Sequence, residues 1–205
     1  MKLVNEPLSF EGYSGKDIKI FNDKEKWYKW QRDFYEKIFF ETGVIREPDP
    51  RKIVFIYDEK GNSGKSSFYK YLYYYHAEDM RRITYGTASQ LRTSLINIGP
   101  KKIYLIDLTR SKGKQDEPSD LLSAIEDLKG GVVSSSMYGS GTTMLMDIPH
   151  IVISSNYLFE FNSLSSDRWE ILSINDRKII NITNSVKRRQ SREKIVKKQE
   201  MVLTN

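Results

Sequence analysis

The sequence predicts an α/β domain with a central parallel sheet flanked by helices, and three observations lead there. Short apolar, β-branched runs recur at Lys52–Tyr57, Arg82–Tyr85, Ile103–Ile106 and His150–Ser154. Stretches with apolar residues at helical spacing lie between them. A glycine-containing loop joins the first run directly to one of those stretches. Strand, loop and helix in alternation are the pattern of parallel strands joined by crossovers.

Residues 1–22 are short mixed segments with Gly12 and Gly15, suited to a linker or an edge strand. From Asp23 to about Phe40 the residues Trp27, Trp30, Phe34, Ile38 and Phe39 line one helical face, with Asn22 or Asp23 available as N-cap. Glu47-Pro48-Asp49-Pro50 breaks that helix. After the first strand, Lys65–His76 is helical, and its Tyr71, Tyr73, Tyr74 and Tyr75 read as residues packing on the sheet. The second strand follows at Arg82–Tyr85. Thr87 caps a helix running through Ile98, and the third strand ends in Asp107. Leu121, Leu122, Ile125 and Leu128 continue a helix begun at Pro118 and stopped by Gly130-Gly131. Val132–Met146 holds two β-prone arms around Gly139-Ser140-Gly141, a hairpin pattern. His150–Ser154 is the next buried strand, and beyond Asn156 come a loop, the segments Trp169–Ile174 and Ile179–Ile182, and the tail. The chain divides into an N-terminal segment (1–45), a main domain (46–184) and a basic tail (185–205).

With 205 residues, 39% hydrophobic and 29% charged, the chain buries a core and folds. It has no cysteine, which removes thiolate metal sites and thiol nucleophiles and fits a reducing, intracellular setting. No apolar stretch is long enough to span a bilayer and the N-terminus has no signal-peptide core, so the expectation is a soluble protein without a membrane partner. The tail holds seven basic residues against two acidic ones, so nearly all of the formal charge of +6 is concentrated there. It reads as a DNA-binding segment or equally as a solvated or disordered extension.

Three motifs carry chemistry. Gly61-Asn62-Ser63-Gly64-Lys65-Ser66-Ser67 stands after a strand and before a helix, where backbone N–H groups, a lysine and a hydroxyl meet the needs of a triphosphate. Lys65 suits the β- and γ-phosphates of ATP, and Ser66 suits Mg²⁺. The strict phosphate-loop pattern asks for glycine at position 59, where this chain has Glu59, so the match is to a shorter G-x-x-G-K-S form. Asp107 closes a strand and suits the same magnesium, although a strand-ending turn residue has the same pattern. The acid that often follows such an aspartate is replaced by Leu108. Asn156 ends the strand beginning at His150, where its amide suits the γ-phosphate or the attacking water, or simply a turn.

In order along the chain, GNSGKSS, IYLIDLTR, IEDLKGGVVSSSMYGS and HIVISSN resemble the four motifs of superfamily 3 helicases, of the type in Rep proteins of circular single-stranded DNA viruses and related plasmids. The plasmid-like and nanovirus-like branch is the most similar, through Asp107-x-x-Arg110, Glu126-x-x-Lys129-x-Gly131 followed by Tyr138, Trp30-Gln31 and Asp167-Arg168-Trp169. The resemblance runs from about residue 27 to 175. It implies an AAA+-like P-loop NTPase that assembles as a ring, with a hexamer expected, around an N-terminal helical collar, and it implies a location in the host nucleus if the chain is viral. It also implies a B′ hairpin in the pore on which Tyr138 and Lys129 touch single-stranded DNA, and an Arg168 finger entering a neighbouring subunit's ATP site. Met137 stands where the family often has a lysine. Glu126 and Arg110 are open candidates for orienting water or sensing phosphate. Full-length Rep proteins add a nickase with a His-hydrophobe-His metal site, but only His76 and His150 exist here, too far apart in sequence to form one. The expected function is an ATP-dependent helicase without its nickase. The alternatives are a nucleotide-dependent DNA-binding or remodelling protein with weak hydrolysis, and a small-molecule phosphotransferase.

Overall fold

The computed structural model describes residues 10–84, 88–108, 119–135, 141–159, 161 and 164–203. Its centre is a six-stranded sheet in the order β2-β3-β6-β1-β7-β8. β1 (Ile53–Tyr57), β2 (Met80–Thr84), β3 (Ile103–Leu108), β6 (His150–Ser155) and β7 (Trp169–Asn175) run parallel, while β8 (Lys178–Asn181) returns antiparallel beside β7. β1, β3 and β6 are buried almost throughout, which explains why they are continuous apolar runs rather than alternating ones. The architecture is α/β with a mostly parallel sheet flanked by helices, as expected, and is compatible with a P-loop-like fold.

The two-residue period of the strands sorts their side chains onto two cores. On one face Val54, Ile56, Leu105 and Val152 pack against α1 (Lys29–Ile38) and α2 (Lys65–His76). On the other, Phe55, Tyr104, Ile106 and Ile153 meet α3 (Ala88–Ile98) and α4 (Ser119–Lys129). β4 (Val132–Ser135) and β5 (Thr142–Leu145) form a separate antiparallel pair after α4. The turn expected at Gly139-Ser140 lies outside the described residues. Gly131 makes the bend into β4 at φ 75°, where a Cβ would meet the Met146 carbonyl oxygen at 2.5 Å.

The N-terminal helix is shorter than its apolar spacing suggests. Asp23 caps only a 3₁₀ turn over Lys24–Lys26, and the α-helix begins at Lys29, where the Gln31 side chain accepts the Tyr28 N–H at 2.9 Å. Trp27 is 3% exposed and donates its indole N–H to the Phe21 carbonyl, which fixes the extended step between the two turns. Trp30 sits at 0% exposure; its backbone N–H reaches the Arg177 carbonyl in the β7–β8 turn, and its indole N–H reaches the Ser63 carbonyl at 3.1 Å. The basic tail, expected from residue 185 as a DNA-binding segment or a solvated or disordered extension, is helical through Leu203 as part of α5 (Thr183–Leu203). Its first turns dock through Val186 and through Gln190, which bonds the Phe159 carbonyl and the Phe161 N–H. Among the described residues no helix is long and apolar enough to cross a membrane.

Candidate functional site

The motifs gather at the C-terminal edge of the sheet. The backbone leaves β1, turns through Gly61, Asn62 and Gly64 at positive φ, and enters α2 with Lys65 as its first residue. Gly64 has φ 80°, a left-handed conformation that glycine adopts without strain, while a Cβ there would make only ordinary contact with Gln31 at 3.5 Å. Ser66 and Ser67 are exposed in the first turn of α2. Glu59 is exposed as well, and the loop is closed instead by its neighbour, Asp58.

Asp58 is the residue that the motif search passes over. It is 2% exposed, and its carboxylate accepts from the Gly61 N–H at 3.0 Å, the Ser63 hydroxyl at 2.6 Å and the Lys65 ammonium at 2.5 Å. Burial alone raises its carboxyl, but the Lys65, Ser63 and Gly61 donors outweigh it and hold the group below the ordinary carboxylate range. The backbone of Asp58 is pinned too: its N–H donates to the Ser155 carbonyl, and its carbonyl accepts from Asn156 Nδ2. That acceptor fixes which way the Asn156 amide faces. The one signal in sequence was position, a carboxylate three residues before a loop rich in N–H donors.

Asp107 is the penultimate residue of β3 and is not beside the loop strand, because β6 lies between β3 and β1. The register places Asp107, Ser154 and Ile56 in one row across β3, β6 and β1. Two strand spacings, about 10 Å, therefore separate the outer two backbones. Asp107 and Ser154 continue the side-chain series that faces α2, so both lie on the same side of the sheet as Lys65. Arg82 from β2 engages the Asp107 carboxylate at 2.7 Å. No group of three or more acidic or histidine side chains able to hold a metal occurs among the described residues. A magnesium ion held by Ser66 and Asp107 would thus need phosphate oxygens or water to complete its shell, which suits the usual habit of that ion.

Arg168 belongs to the opposite edge. It precedes β7, whose first residue Trp169 pairs with Ile53 at the start of β1, whereas the glycine loop follows the end of β1. The strand alone spans about 13 Å, so Arg168 does not reach the Lys65 of its own chain. It pairs with Glu126 of α4 at 3.1 Å.

Lys129 requires a correction. It is 2% exposed and its ammonium donates to the Pro149 carbonyl at 2.9 Å, tying the end of α4 to the entry of β6, so it has no free face for a DNA strand. Burial lowers its pKa to about 8, with the Arg168 charge adding to the effect and Asp49 opposing it. Lys129→Met is expected to keep or raise thermal stability at pH 7 and to leave single-stranded DNA affinity unchanged. The wild-type chain gains stability as pH rises from 8 towards 10.5, because the unfolded lysine keeps its proton to the higher value, and the variant lacks that gain. A tenfold loss of DNA affinity in the folded variant would restore the DNA-contact role. Tyr138 and Arg110 lie outside the described residues.

No family model matches the chain. The chain is similar to Para-Rep C6 of the Subterranean clover stunt C6 alphasatellite, with 27% identity over 173 residues, which cover 84% of this chain and 58% of the relative. It therefore spans little more than half of that protein's length. The similarity supports a Rep-like relationship for this chain.

Proposed function

We propose that the chain is the ATP-hydrolysing helicase part of a Rep-like protein acting in rolling-circle-type replication. The observation that carries this is the meeting of Lys65, Asp107, Ser154 and Asn156 at one edge of a parallel sheet, at the start of α2. The N–H groups of the loop beyond Gly61 and of the first turn of α2 receive the phosphates. Lys65 leaves Asp58 for the β- and γ-phosphates, and Ser66 and Asp107 hold the metal. A magnesium ion held by Ser66 and Asp107 would supply positive charge to offset that of the phosphate oxygens. Asn156 orients that water or the γ-phosphate.

The placement of Arg168 on the far edge fits a finger that works only in a neighbouring subunit, and hence a ring, for which six copies are proposed. In this reading the β4–β5 pair serves as the B′ hairpin that reaches single-stranded DNA in the pore, with Tyr138 as its stacking residue. A nucleotide-dependent DNA-binding protein with slow hydrolysis is the second reading, favoured by Leu108 beside Asp107 and by the Arg82 guanidinium already seated on that carboxylate.

The test is ATP turnover with and without single-stranded DNA, with Asp107→Asn and Lys65→Ala as controls whose folding is checked by melting. DNA-stimulated turnover lost in both controls supports the motor. DNA binding with negligible turnover supports the second reading, and failure to bind magnesium-ATP sinks both. Mixing Arg168→Ala with Lys65→Ala subunits restores part of the turnover if the finger acts in trans.

A further inference from the structure

The two ion pairs of the site, Lys65 with Asp58 and Arg82 with Asp107, stand on either side of β6. On the face towards α2 the apolar series of that strand stops at Val152, and the next residue is Ser154, 2% exposed. Over it lies Tyr69, one helical turn beyond Lys65 and also 2% exposed. The two hydroxyls lie against each other, yet neither closes a hydrogen bond. Burial pushes the Tyr69 phenol strongly up, the neighbouring Ser154 hydroxyl and the Arg82 charge oppose this, and the Asp107 and Asp58 carboxylates add to the push.

Tyr35 and Trp169 also bury an unsatisfied polar atom. Tyr69 and Ser154 lie at the C-terminal edge of the sheet, between the two ion pairs of the site. A buried hydroxyl without a partner works against folding, and phenylalanine at 69 would pack against Trp30 and Phe34 equally well.

We infer that the Tyr69 and Ser154 hydroxyls are positioning residues for the magnesium–nucleotide complex, forming the polar floor that hydrogen-bonds the water shell of a metal carried on Asp107. This rests on the nucleotide-binding reading above. Tyr69→Phe and Ser154→Ala remove one oxygen each and leave the packing in place.

Melting is measured without ligand, with magnesium-ADP, and with ADP plus EDTA, alongside nucleotide affinity by titration calorimetry. Tyr69→Phe is expected to melt about 2 °C or more above wild type without ligand. It is expected to bind magnesium-ADP about tenfold more weakly. Its affinity for ADP in EDTA should match wild type, and Ser154→Ala should move in the same directions. Unchanged magnesium-ADP affinity in both variants overturns the inference and leaves nucleotide binding standing. A lower melting temperature for both variants without ligand also overturns it, because the hydroxyls would then be bonded in the unliganded fold. Absence of any magnesium-ADP response in the wild-type chain removes the underlying reading as well.

Discussion

Replacing Lys65 with methionine is expected to cost about 3–5 kcal/mol of folding free energy, and adding Asp58→Asn to the same chain should return most of that loss. The side chains of Lys65 and Asp58 are only 12% and 3% exposed and meet at 2.5 Å. Removing the ammonium leaves a carboxylate buried with just the Gly61 N–H and the Ser63 hydroxyl. An asparagine keeps an oxygen for those donors and carries no charge. Urea unfolding of the two single variants and the double variant measures this directly. A Lys65→Met chain as stable as wild type would show that Asp58 finds solvent or a proton once its partner is gone. The same experiment guards the activity test, since an inactive Lys65 variant is informative only where it is folded.

Acidification from pH 7 to pH 4 is expected to remove about 3 kcal/mol of stability through His76 alone. This ring ends α2, is 2% exposed and packs on Phe39 at 4.4 Å. Burial lowers its pKa from 6.5 to about 4, the Lys24 charge lowers it further, and Asp79 opposes them. Between those two values the unfolded chain holds a proton that the folded chain refuses, so every step down in pH favours unfolding. Above 6.5 both states are neutral and the contribution is constant. His150, lowered chiefly by burial, acts in the same direction. Melting curves of wild type and His76→Phe across this range separate the contribution, because phenylalanine keeps the ring contact and has nothing to titrate. Parallel losses in the two proteins would assign the pH dependence to other groups.

Much of the sheet was legible because buried parallel strands are apolar runs, and β1, β3 and β6 stand where those runs stand. Lys65 opens α2 and His76 closes it, as the loop and the spacing implied. The order of the strands was not legible. Chain order gives no sign that β6 separates Asp107 from the glycine loop, or that Arg82 faces Asp107 from the next strand. Lys129 was misread for a different reason. It stands four residues after Ile125 and eight after Leu121, on the buried face of α4, and motif spacing was given more weight than helical period. The C-terminal helix was missed because charge was read and propensity was not: arginine, lysine, glutamine and glutamate are all strong helix formers.

The two hydrogen bonds of Trp30 have a mechanical consequence. One residue clamps the β7–β8 turn at its backbone and the glycine loop at its indole. The first turn of α1 therefore ties Ser63 to the sheet edge at β8, so a displacement of the loop that kept both bonds would have to carry that turn with it.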